Sequence, residues 1–192
     1  MNKVIGLKKL AAEIEHCADC KKDSTGKMVF GEGDPDAKIM FVGEAPGKNE
    51  AETGRPFIGR SGKYLRSLIR NILNLNEKDV YITSPVKYLP KRGTPSKKQI
   101  DTARPFFMKQ LTIIKPKVIV LLGKTAVAAV LNQDISILKE HGSLIDQNNK
   151  IYFITLHPAA AIRFAKFRST IASDFDALKI ITAKLGWGSE SE

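Results

Sequence analysis

Four short stretches hold most of the residues in this sequence that could act on a ligand. Gly43-Glu44-Ala45-Pro46-Gly47 sets a carboxylate between glycines, and Glu50 follows three positions later. The others are Ser84-Pro85, Gly123-Lys124-Thr125 and His157-Pro158. Glycines let backbone amides come close to a ligand, while Glu44 and Glu50 bring two carboxylates to the same loop. The loop lacks both the Gly-Lys-Ser/Thr ending of a phosphate-binding P-loop and the GxGxxG of a dinucleotide fold. Each group also has a plainer reading: the glutamates as caps for loop amides, His157 as a capping or core histidine, and Phe57 as core packing.

The elements that must position these groups are legible as apolar runs. Lys38–Val42, Val80–Thr83, Val118–Leu122 and Tyr152–Leu156 are rich in Val, Ile or aromatics and are flanked by Gly, Pro or charge, as buried strands are. Tyr64, Leu65, Leu68, Ile69 and Ile72 form one helical stripe, and Ser173 can cap a last helix whose Phe175, Leu178, Ile181 and Leu185 face inward. Alternating strands and helices predict a three-layer αβα fold around a mainly parallel, four-stranded sheet. In such folds ligands bind at the carboxyl ends of the strands, and each of the four stretches follows a strand. Glu44, Glu50, Phe57, Ser84 and His157 are therefore expected to line one pocket.

Bulk properties narrow the class. The 192 residues, 43% hydrophobic and 27% charged, suit one globular domain over positions 1–192, without repeats or a low-complexity linker. A net charge of +11 and a pI near 9.6 favour a polyanionic partner, nucleic acid first, although a solvated basic surface gives the same balance. No apolar run of about 18 residues occurs, and Lys8, Lys9, Glu13 and Glu15 interrupt the N-terminal segment. A cytoplasmic, nucleoid-associated and monomeric protein without membrane contact is expected. Two cysteines, Cys17 and Cys20, are too few for a secreted disulfide framework, though their spacing is that of half a metal site.

Taken in order, GEGDPDAKIMFVGEAPG, Glu50, GRPFIGRSGK, PKVIVLLG and LHPAA resemble the family 4 uracil-DNA glycosylases of bacteria and archaea, from about Cys17 to the last helix. The resemblance implies excision of uracil from DNA, with hydrolysis of the N-glycosidic bond. That reaction leaves an anionic base and a sugar with oxocarbenium character, so it needs donors at the base, negative charge near the sugar, and a water. By resemblance, His157 donates toward the base carbonyl, and Glu50 or Glu44 positions water or shapes the pocket. Gly43, Ala45, Gly47 and Ser84 surround the base, on which Phe57 stacks. Ala45 stands where family 1 enzymes carry a water-supporting aspartate. Ser61, Gly62 and Lys63 open a helix suited to a phosphate, as Lys124 and Thr125 do more weakly. The loop after His157 corresponds to the one that enters the DNA groove, with Ile162 or Arg163 as its inserting or phosphate-contacting residue. Lys87 to Lys98 forms a further basic loop for phosphates.

Two departures bear on the chemistry. The family holds a four-iron, four-sulfur cluster on four cysteines, but here only Cys17 and Cys20 remain, with Tyr88 and Ala103 at the other positions. No cluster, metal or other cofactor is expected, and Tyr88 is expected to fill the volume. The cysteines are then a vestigial pair, a redox pair, a bridge between chains or, with His16, part of a metal site. The family's base-reading asparagine is Ser84, which cannot make the same two-faced contact, so another deaminated base such as hypoxanthine is an alternative substrate. Two other classes are a DNA-binding relative with little activity and a nucleotide- or phosphate-binding module.

Overall fold

The computed structural model describes residues 2–185. In chain order the elements are α1 (Lys3–His16), α2 (Ala18–Lys21), β1 (Ser24–Thr25), β2 (Glu32–Gly33), β3 (Ile39–Val42), α3 (Lys48–Thr53), α4 (Arg60–Asn71), β4 (Val80–Thr83), β5 (Leu89–Pro90), α5 (Lys97–Ile114), β6 (Val118–Leu122), α6 (Lys124–Leu131), α7 (Ile137–Glu140), β7 (Leu144–Gln147), β8 (Lys150–Thr155), α8 (Pro158–Arg163) and α9 (Phe167–Lys184). Six strands form the main sheet in the order β2-β4-β3-β6-β8-β7, and β1 pairs with β5 in a separate two-stranded ribbon.

The four expected strands make the parallel centre, β4-β3-β6-β8. Every residue of β3, β4 and β6 is buried, which is why these segments read as unbroken apolar runs instead of alternating ones. Two antiparallel edges, β2 and β7, extend the sheet beyond the expected four strands. Strand alternation sends side chains to two cores. Ile39, Phe41, Val118 and Val120 meet Leu65 and Ile69 of α4 and Ile171, Phe175 and Leu178 of α9. Met40, Val42, Ile119 and Leu121 meet Phe107 and Leu111 of α5 and Val127 of α6. The result is the three-layer αβα arrangement.

One expected boundary is displaced: Ser173 lies within α9, which begins at Phe167, so it caps nothing. Phe175 and Leu178 are buried as expected, but Leu185 ends the described chain 40% exposed. The carboxylate of Asp174, also on α9, accepts from Thr155 Oγ1 at 2.6 Å and pairs with His141 Nδ1 at 3.0 Å. This buried contact ties α9 to the carboxyl end of β8, two residues before His157. Among the described residues, no helix is long and apolar enough to cross a membrane.

Candidate active site

The carboxyl ends of β3, β4 and β8 open onto a cavity of about 270 Å³ whose walls include Glu44, Ala45, Gly47, Glu50, Phe57, Ser61, Ser84 and His157. The five residues expected in one pocket are all there. A wider groove of about 860 Å³, between the end of α1 and the β1 segment, collects none of them.

His157 caps α8, and the backbone N–H of Ala159 donates to its Nδ1 at 3.1 Å. An accepting Nδ1 carries no proton, so the neutral ring keeps its hydrogen on Nε2. Burial pushes the His157 pKa down to about 4, which makes this neutral form the resident one at pH 7. Nε2–H has no partner among the described residues and can donate to a ligand. The imidazole ring stacks against Phe57, with centroids 5.9 Å apart.

The two glutamates differ in their commitments. Glu50 is buried, and its Oε1 accepts from the backbone N–H groups of both Ile58 and Gly59 at 2.8 Å. It thus does what its plainer reading says, fixing the loop that carries Phe57. Glu44 lines the same cavity and makes no hydrogen bond or ion pair among the described residues. Its carboxylate remains available to a water.

Phe57 has the backbone conformation of a left-handed turn, with φ +51°. That conformation costs a residue with a side chain roughly 1–2 kcal/mol, so its neighbours must hold it. Two glycines make room. A Cβ on Gly43 would lie 2.5 Å from the Phe57 ring, and one on Gly62 would lie 2.0 Å from the Phe57 carbonyl carbon. Gly43 therefore lies against the ring of Phe57 and is not on the cavity wall, while Gly62 is buried against the Phe57 backbone. Ser84 is 4% exposed, and its hydroxyl donates to Val86 O at 2.9 Å. With its single hydrogen so used, Ser84 offers the cavity lone pairs only.

Outside the cavity, Lys63 and Arg163 are exposed and Ile162 is half-buried. Sequence reasoning missed Phe164, which is 48% exposed beyond α8 with the Arg163 guanidinium 5.4 Å from its ring centroid. The signal was there in the aromatic that follows Ile162-Arg163. Lys124 pairs with Asp134 at 2.7 Å, which ties up its ammonium group. Lys87 does not belong to a phosphate-binding loop. It is 4% exposed, and its Nζ donates to Phe30 O, Thr83 Oγ1 and Gln110 Oε1 at 2.7–2.9 Å. Burial holds its pKa well below the ordinary lysine value. Three acceptors from separate segments draw this amine inward, so it cannot reach DNA.

At the N-terminal end, Cys17 and Cys20 form a disulfide, with Cα atoms 5.3 Å apart. Tyr88 is buried with Leu10 and Ile14 in a small apolar cluster against which Cys20, Met28 and Phe106 pack. Ala103 is also buried. A phenol and a methyl group at these places supply no thiolate, so the residues present do not fit a four-thiolate cluster.

Comparison with known proteins gives this arrangement a relationship. Residues 30–178 match the Uracil DNA glycosylase superfamily. The chain is 38% identical over 183 residues to the Type-4 uracil-DNA glycosylase of Sulfurisphaera tokodaii, covering 90% of this chain and 83% of that protein. It is 34% identical over 183 residues to the Type-4 uracil-DNA glycosylase of Thermotoga maritima, covering 92% and 95%. A Type-5 uracil-DNA glycosylase of Pyrobaculum aerophilum is 27% identical over 150 residues, covering 70% and 66%.

Proposed function

The chain belongs to the Uracil DNA glycosylase superfamily, and we propose that it excises uracil from DNA in base-excision repair with His157 and Glu44 as its working pair. Uracil, extruded from the strand, stacks on Phe57 in the cavity. Nε2–H of neutral His157 donates to a base carbonyl oxygen, and the bond strengthens as the N-glycosidic bond breaks and the base becomes anionic. Glu44 orients a water toward the sugar carbon, stabilises the oxocarbenium character there, and accepts the proton that water loses on attack. The products are free base and an abasic site. No covalent lysine intermediate is needed, and Lys87 is consumed by its three acceptors.

The observation that carries this reading is the locked tautomer of His157 in one cavity with the unpartnered carboxylate of Glu44. Glu50 serves the same site from behind, as the residue that holds the amides of Ile58 and Gly59. The reaction draws on no metal or cluster.

DNA is held outside the cavity by Lys63 near the start of α4, where Gly62 is buried and Ser61 faces the cavity, and by the end of α8. There Phe164 beside Arg163 offers a stacking face next to a cation, a combination suited to an unstacked base. The test is excision from single- and double-stranded oligonucleotides bearing uracil, hypoxanthine or xanthine, read as strand scission after alkali. A product with uracil supports the reading. A product with hypoxanthine alone would move the substrate to another deaminated base. No product with any base would leave a DNA-binding relative.

A further inference from the structure

Arg66 sits in the second turn of α4, and its side chain is 11% exposed. Its Nε donates to Phe57 O at 3.0 Å, and its Nη2 donates to Pro56 O at 2.9 Å. These two carbonyls flank the Phe57 Cα, so one planar guanidinium fixes the peptide on either side and with them both backbone torsions of Phe57. The rest of the fork is held as well: Nη2 donates to Glu32 Oε1 at 2.5 Å, and Nη1 donates to Glu77. Glu32 also takes both arms of Arg55, at 3.0 and 3.1 Å. Burial alone would raise the Glu32 pKa, but the two arginines overcome it and hold the carboxyl below its usual range.

From this geometry we infer that Arg66 is a positioning residue for base excision, holding Phe57 in its left-handed conformation so that the ring faces an extruded base. Glu50 takes the amides of Ile58 and Gly59, while Arg66 takes the carbonyls of Pro56 and Phe57. The loop is thereby gripped through its donors by a carboxylate and through its acceptors by a guanidinium. Lysine cannot replace this grip, because a single ammonium lacks the flat fork that spans two carbonyls and a carboxylate. The ion pairs to Glu32 and Glu77 fix the fork and so support Phe57 at one remove.

The inference rests on the reading of Phe57 as the base platform, and a double-mutant cycle separates the two. Single-turnover excision of uracil at saturating enzyme is measured for wild type, Arg66→Ala, Phe57→Ala and the double variant, with thermal melting as a check on folding. Arg66→Ala should slow excision by about 10–100-fold, since misplacing a reacting group by about 1 Å costs on the order of 10²-fold. In the Phe57→Ala background the same change should cost less than about 3-fold, because its target is gone. Losses that multiply in the double variant would overturn the inference while leaving the platform reading intact. A Phe57→Ala variant with wild-type rate would instead remove the platform itself. Arg66→Lys keeps the positive charge and serves the same cycle should Arg66→Ala not fold. It should show a partial loss that again requires Phe57, and a wild-type rate for Arg66→Lys would refute the role of the fork.

Discussion

Replacing Gly62 by alanine sets two physical effects against each other. Gly62 lies in the first turn of α4, where intrinsic helix propensity alone favours alanine over glycine by about 1 kcal/mol. The added Cβ, however, would lie 2.0 Å from the carbonyl carbon of Phe57, 2.1 Å from its oxygen and 2.5 Å from its Cα. These are backbone atoms, so no rotamer change relieves the overlap, and the Phe57 peptide must retreat by roughly 1 Å or more to reach ordinary contact. It cannot do so freely while Arg66 holds its carbonyl and Glu50 holds the next two amides. Overpacking of this kind costs about 1–3 kcal/mol and outweighs the gain in propensity. For a chain of this size, each 1 kcal/mol lowers the melting temperature by about 2–4 °C. A retreat of about 1 Å in the stacking platform should slow excision by about 10²-fold. Calorimetry and single-turnover excision test both arms. A Gly62→Ala protein that melts at or above the wild-type temperature and excises at the wild-type rate would refute the packing argument.

The glutamates should separate by phenotype: Glu44→Gln slows excision while leaving stability within about 0.5 kcal/mol, whereas Glu50→Gln weakens two amide contacts and costs about 1–3 kcal/mol in chemical denaturation. Because burial lowers the folded His157 pKa from 6.5 to about 4, the unfolded chain takes up that proton first on acidification. The associated stability is complete above about pH 6.5 and is lost as pH falls from there through about 4, on the order of 3 kcal/mol, and His157→Gln should flatten that part of the pH–stability curve. Lys87→Met should lower stability by about 1–3 kcal/mol without changing the salt dependence of DNA binding, since the buried amine touches no phosphate. Arg163→Ala should reduce the slope of log affinity against log salt by about one contact, and Phe164→Ala should weaken binding of a uracil-bearing strand by about 1 kcal/mol or more.

The centre of this fold was open to sequence reading because burial on both faces forces unbroken apolar strands, and their carboxyl ends then gather Glu44, Ser84 and His157. The edges were not open to it. Glu32-Gly33 is two residues long and Leu144–Gln147 is mostly exposed, so neither carries a hydrophobic period. Ser173 looked like a cap because its type suits one, but the apolar stripe of α9 begins earlier, at Phe167 and Ile171. Inside the site, residue types marked the pocket without dividing its labour. Glu44 and Glu50 differ only through the path of residues 58–59, which gives one of them two amides. The burial of Lys87 depends on acceptors at positions 30, 83 and 110, and the conformation of Phe57 depends on Arg66 nine residues on. Neither is encoded locally.

The central claim is that His157 acts on the leaving base as a neutral donor. Its most direct test pairs two measurements on His157→Ala: affinity for uracil-bearing DNA, and the single-turnover rate of uracil release at saturating enzyme. Removing a preorganised donor typically costs about 10²–10³ in rate. The account predicts a loss of that size with affinity nearly unchanged, because the contact gains its strength only as the base becomes anionic. Weakened binding with an unchanged rate from bound substrate would contradict it and leave His157 as a residue that only positions DNA.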